Sequence, residues 1–151
     1  MEKKATESET VKLPYNIREN KYRKMAYRSR INHEVSDKTY AQIKEIVFKQ
    51  KRYLKPDFTA KELAEELGVN ARYLSAVINS RFKKNFSCLI NELRVKEVIT
   101  MMSRKKNSGK TIEELGHMAG FTNRQTLYAA FYRFVGITPK NYRVEQEQKN
   151  K

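Results

Sequence analysis

One stretch of the chain occurs twice, and a repeat of this length constrains the fold more than any other feature. TAKELAEELGVNARYLSAVI at 59–78 lies over TIEELGHMAGFTNRQTLYAAF at 111–131. Thr59, Glu62, Leu63 and Gly68 match Thr111, Glu114, Leu115 and Gly120 without a gap. One additional residue in the second turn then aligns Leu74 with Leu127 and Ile78 with Phe131. Each copy is a supersecondary unit that must bury its apolar face against a neighbour. Both begin T-x-x-E, the pattern of a capping box, in which the Thr hydroxyl and the Glu carboxylate take up N–H groups that have no partner inside the helix. Both then reach a glycine suited to the left-handed residue that ends a helix. An apolar residue follows (Val69, Phe121), then a polar cap (Asn70; Thr122 or Asn123) and a second helix. Helix, short turn, helix is the helix-turn-helix plan. It is expected over about 59–80 and 111–135.

Between the copies, 86–104 carries Leu89, Ile90, Leu93, Val98 or Ile99, and Met102 on one broad face, which predicts a connecting helix ahead of a loop containing Gly109. Upstream, Tyr40, Ile43, Ile46 or Val47, and Leu54 recur at helical spacing. Ser36 or Asp37 is the expected N-cap there, and Lys55-Pro56 the expected end, since a residue before proline avoids the α region. Residues 1–35 are polar and basic and read as a flexible arm or linker. Gly136, Pro139 and Tyr142 predict a turn and a short closing helix, after which 144–151 reads as a polar tail that frays. The expected fold is all-α: two helix-turn-helix subdomains, homeodomain-like three-helix units, joined by a long connecting helix within a domain at 36–143.

The 151 residues suit one domain or two small ones packed together. Lys and Arg number 32 against 17 Asp and Glu, and the resulting net charge of +15 points to a polyanionic partner: nucleic acid, anionic lipid or an acidic protein. Cys88 is the sole cysteine, which excludes an intrachain disulfide and a cysteine-based zinc site and suggests a small packing residue. The first residues, MEKKATESET, lack the apolar core of a signal peptide, and no run approaches the roughly 20 apolar residues of a membrane span. The chain holds two His, His33 and His117, and its Asp are Asp37 and Asp57. With no metal-ligand spacing, nucleophile elbow or Gly-rich phosphate loop, neither catalysis nor a cofactor nor a metal is expected.

These residues resemble the C-terminal DNA-binding domain of the AraC/XylS family of bacterial transcription regulators, over about 37–143. The second motif is carried by Ile112, Leu115-Gly116, Gly120-Phe121, Thr122, Leu127, Phe131, Gly136, Thr138-Pro139 and Tyr142-Arg143. The first is carried by Leu63-Ala64, Leu67, Leu74-Ser75, Phe86-Ser87 and Leu93-Arg94-Val95. The chain departs from the family pattern at Gly116, usually Ala, where a helical glycine costs about 1 kcal/mol. It departs also at Ile78 (Phe is common), at Lys83 (often Gly), at Ala76 and Ala129 (often long DNA-facing side chains) and at Tyr132 (frequently Lys). The resemblance implies a cytoplasmic regulator on the nucleoid that binds double-stranded promoter DNA, an activator recruiting RNA polymerase. It also implies either a stand-alone regulator controlled by abundance or the output end of a longer protein with a sensor or dimerisation domain.

An α-helix fits the major groove, where every base pair presents a distinct pattern of donors and acceptors. With Leu74, Val77 or Ile78, with or without Tyr73, facing the core, Arg72, Ser75, Ala76 and Asn79 are the expected base readers of the first copy. With Leu127, Ala130, Phe131 and Phe134 inward, Arg124, Gln125, Tyr128 and Ala129 are those of the second. Arg suits guanine, Gln suits adenine, and Ala suits a thymine methyl. Asn70, Arg81, Lys83, Lys84, Thr111, Thr122, Asn123 and Arg133 are candidate phosphate contacts. Simpler readings stand beside these. Arg72 and Arg124 can be solvated surface, Tyr128 can be core, and Gln125 falls at N3 and completes a capping box if Thr122 is the N-cap. Residues 21–30 can be a tether or a minor-groove reader. For the whole chain the rivals are a sequence-blind nucleic-acid or membrane-surface adaptor and a protein-interaction module.

Overall fold

The structure, a computed structural model, describes residues 33–150, so the expected arm at 1–35 lies outside the described residues except for its last three. The chain divides into two units, 1–38 and 39–151. The architecture below is that of the second, together with the start of its first helix, which crosses the boundary at 38. Helix α1 spans His33–Ile43 and continues as a π-helical turn, Lys44–Lys49; a 3-10 turn follows at Arg52–Leu54. Then come α2 (Ala60–Leu67), α3 (Ala71–Phe82), α4 (Phe86–Met102), a 3-10 turn at Lys105–Asn107, α5 (Ile112–Met118), α6 (Arg124–Val135) and α7 (Pro139–Lys149). The fold is all-α, with no strand among the described residues.

Every helix from α2 to α7 starts on a side chain that accepts from its own first turn, as Ser, Thr and Asn do best. The acceptors are Thr59, Asn70, Asn85, Thr111, Asn123 and Thr138. Thr111 and Glu114 form the full reciprocal box. The first copy makes only half of it. Thr59 Oγ1 accepts from the Glu62 N–H at 3.1 Å, but the Glu62 carboxylate turns to Lys55 Nζ at 2.8 Å. At the far end of α2, Gly68 has φ of +69°, the left-handed value the repeat predicts.

Three boundaries differ from the sequence reading. Helix α1 begins at His33, ahead of Ser36 and Asp37. Its continuation stops at Lys49 rather than at Lys55-Pro56, because Lys51 turns left-handed (φ +51°) and the following turn buries Tyr53. Helix α7 runs through 144–149, where a frayed tail was expected. That helix is pinned at its start: Tyr142 meets the Phe131 ring edge-on at 5.6 Å, and Arg143 Nη1 donates to the Lys110 carbonyl at 2.6 Å.

Two cores form, one per copy. Ile43, Val47, Phe58, Leu63, Leu74, Val77 and Ile78 build the first with Leu89 and Ile90. Ile112, Leu115, Phe121, Leu127, Ala130 and Phe131 build the second with Val95, Val98 and Met101. Helix α4 therefore gives its first half to one core and its second half to the other, and it is the shared spine of the two copies.

Candidate nucleic-acid interface

Burial of one face of each second helix decides what the other face presents. In α3, Leu74, Val77 and Ile78 are fully buried. Arg72 and Ser75 are exposed, and Ala76 and Asn79 are half-buried. Asn79 Nδ2 donates to the Ser75 carbonyl at 2.8 Å, so one amide donor is engaged within the helix. In α6, Leu127, Ala130 and Phe131 are buried. Arg124, Gln125 and Ala129 are exposed, while Phe134 and Tyr128 are half-buried against the second core.

Asn123, not Thr122, caps α6: its Oδ1 accepts from both the Thr126 N–H and the Thr126 hydroxyl, at 2.8 and 3.0 Å. Gln125 thus stands at N2 and completes no capping box, and its amide remains on the exposed face. Counting from the two caps, Gln125 occupies the station of Arg72, Tyr128 that of Ser75, Ala129 that of Ala76, and Tyr132 that of Asn79. Tyr132, 60% exposed, is a member of the outward set that the sequence reading left out. The signal was available, since the alignment pairing Ile78 with Phe131 pairs Asn79 with Tyr132. Arg124 corresponds to Ala71 and so stands one position ahead of Arg72's station. Its Nη1 donates to Glu113 Oε1 at 2.5 Å, and its guanidinium carbon lies 4.3 Å from the centre of the Tyr128 ring.

The candidate phosphate contacts divide by what already holds them. Asn70, Thr111 and Asn123 spend a side-chain oxygen on their own helix starts. Thr122 is exposed beside Asn123. Arg81 lies 5.1 Å over the Tyr40 ring, and Lys84 is paired with Glu92. Lys83 and Arg133 are exposed; the Arg133 guanidinium lies 5.9 Å over Phe134. A concavity of about 440 Å³ runs between the start of α4 and α6, and it gathers Gln125, Ala129 and Arg133 with Asn85, Ser87 and Asn91. The connecting helix therefore contributes polar side chains beside the outward face of α6.

Among the described residues no group of three or more His, Cys, Asp and Glu side chains could hold a metal ion, and no helix is long and apolar enough to cross a membrane.

The family described as a helix-turn-helix domain matches residues 63–145. The melibiose operon regulatory protein of Escherichia coli K12 is 25% identical over 91 residues, which are 60% of this chain and 29% of that protein. The chain thus spans less than a third of the length of that relative. Two solved structures share the fold. One, a protein of unknown function from Listeria innocua, superposes with a TM-score of 0.61 at 19% identity, covering 69% of this chain and 93% of the other. The second is the C-terminal domain of the two-component response regulator yesN from Fusobacterium nucleatum, with a TM-score of 0.57 at 23% identity, covering 69% and 96%.

Proposed function

The chain belongs to the AraC-type family of helix-turn-helix domains, and from that premise we propose that it is a sequence-specific, double-stranded DNA-binding regulator of bacterial transcription. The observation that carries the reading is the pair of outward faces on α3 and α6, each fixed by its own cap and core and both mounted on α4. One chain then reads two major-groove faces roughly one helical turn, about 10 bp, apart without dimerising. Arg72, Ser75, Ala76 and Asn79 read one block; Arg124, Gln125, Tyr128, Ala129 and Tyr132 read the other. Thr122, Lys83 and Arg133 supply phosphate contacts, with N–H groups at the helix starts capped by Asn70, Thr111 and Asn123. Arg81 and Lys84 reach phosphate on release from Tyr40 and Glu92. The excess positive charge draws the chain to the duplex and makes the encounter salt-dependent.

The name of the melibiose operon regulator supports control of transcription, here as an activator that recruits RNA polymerase in the cytoplasm. The greater length of that relative supports a sensor or dimerisation domain beyond the residues in hand. The net charge of +15 also favours a second reading, a sequence-blind polyanion binder.

Selection from a randomised duplex pool at about 150 mM salt separates the two, because binding through phosphate alone ignores sequence and weakens steeply with salt. Two enriched blocks about one helical turn apart are the expected result. Recovery without enrichment would establish the sequence-blind binder, and no recovery would overturn DNA binding by this chain.

A further inference from the structure

We infer that Arg94 is a positioning residue: it locks the two helix-turn-helix units at one separation and so sets the spacing of the two blocks the chain accepts. The inference rests on the bipartite reading proposed above.

Arg94 lies on α4 at the crossover between its two cores, after Ile90 and beside Val95, and is only 8% exposed. Its Nε donates to the Tyr53 carbonyl at 2.7 Å and its Nη2 to the Lys55 carbonyl at 3.0 Å. Both acceptors belong to the turn that leads into the first copy. The same guanidinium carbon lies 6.0 Å from the Phe121 ring, in the turn of the second copy. Gly120 closes the junction from that side. A Cβ there would stand 2.5 Å from the Tyr53 carbonyl oxygen and 2.7 Å from Arg94 Nε, at a φ of +105° that favours glycine. Three segments therefore meet at one oxygen: the 53–55 turn of the first half, Arg94 of the spine, and the 120–121 turn of the second half.

Arg94 is a buried cation held by backbone carbonyls, and burial pushes its pKa below the ordinary arginine value. Two bonds from a planar fork to two carbonyls fix direction as well as distance. The turn of one half is thereby bridged to the turn of the other by a route additional to the α4 backbone. One inserted base pair moves a block about 3.4 Å along the duplex and about 34° around it. Two readers locked at one angle cannot follow that displacement; two readers free to pivot on α4 can.

The test uses the full chain and duplexes that carry the two selected blocks at the selected spacing, and at spacings one and two base pairs longer and shorter. Wild type is expected to lose about 10-fold in affinity for each base pair of misplacement, the effect of one lost base contact. Arg94→Lys, which keeps the charge but not the fork, and Arg94→Gln, which keeps one amide, are expected to flatten that curve to within about 3-fold across the same spacings. Their affinity for each block alone should stay at the wild-type value, which a merely structural loss would not allow. A variant that folds and keeps the wild-type spacing curve overturns the inference. If neither variant folds, the wild-type curve decides alone, and tolerance of all spacings overturns the lock. Failure of the bipartite reading is visible separately, as the absence of two blocks in the selection, and removes the basis of the inference with it.

Discussion

Arg124 on α6 is held by Glu113 on α5, with 2.5 Å between Nη1 and Oε1. The two side chains are 64% and 44% exposed, so the pair stabilises the fold by no more than about 1 kcal/mol. Its consequence is orientation, because the guanidinium also lies over Tyr128. A bidentate contact to guanine discriminates by about 1–3 kcal/mol and outcompetes a pair of that strength. Arg124→Ala is therefore expected to lose about 1–3 kcal/mol on the cognate duplex and to relax preference at one position, while thermal unfolding shifts little. Equal losses on cognate and scrambled duplexes would make Arg124 a phosphate contact instead.

Gly116 supports a second prediction, this one on packing. A helical glycine normally invites replacement by Ala, with a gain of about 1 kcal/mol. Here the added Cβ would lie 2.6 Å from Leu127 Cδ2, and Leu127 is 1% exposed in the second core. Leu127 must move, and overpacking a filled core destabilises by about 1–3 kcal/mol. Gly116→Ala is expected to lower the denaturation midpoint. In the control, Gly109→Ala, nothing lies within 4 Å of the new methyl, and no loss from overpacking is expected. A gain for Gly116→Ala equal to its propensity would show that Leu127 yields freely.

Local signals were legible in the sequence and distant ones were not, and particular residues show why. Thr59, Thr111 and the glycines at 68 and 120 announced both helix-turn-helix units because caps and left-handed residues act within four or five positions. Thr122 and Asn123 are both good caps, and only the backbone at 123 resolved the choice. The early end of the first helix depends on burying Tyr53 under the spine, which no local pattern encodes. Glu92, the partner of Lys84, lies on the next helix, Tyr40, the partner of Arg81, lies two helices back, and the bond from Arg94 to the Tyr53 carbonyl crosses 41 residues. Such contacts exist only once the cores have formed.

Tyr53 gives the fold an alkaline limit. Burial, then the charge of Glu97 and its acceptance of the Tyr53 hydroxyl at 3.3 Å, push the phenol up to about 12 from an ordinary value of 10.0. The folded state holds the proton more tightly than the unfolded chain. The resulting stabilisation is complete below about pH 10 and is lost as pH rises toward 12, a change of about 2–3 kcal/mol. Denaturation midpoints of Tyr53→Phe should start slightly lower at neutral pH and fall less steeply across that window. Parallel decline of the two proteins would place the alkaline sensitivity at another group.

Replacement of Lys83 is expected to shift stability and binding in opposite directions. It ends α3 in the left-handed region, φ +60°, with its N–H donating to the Asn79 carbonyl at 3.2 Å, and its side chain is exposed. Left-handed backbone costs an L-residue about 1–2 kcal/mol, whereas glycine adopts it freely at an entropic cost of about 0.5–1 kcal/mol. Lys83→Gly should therefore stabilise the fold by about 0.5–1 kcal/mol. The same change removes a cation one residue past the end of α3. Affinity is expected to fall on all duplexes alike, and the slope of log affinity against log salt to shrink by about 1. A raised melting temperature with an unchanged salt slope would remove Lys83 from the phosphate contacts and leave its strain argument intact. A lowered melting temperature would refute the strain argument, whatever the DNA result.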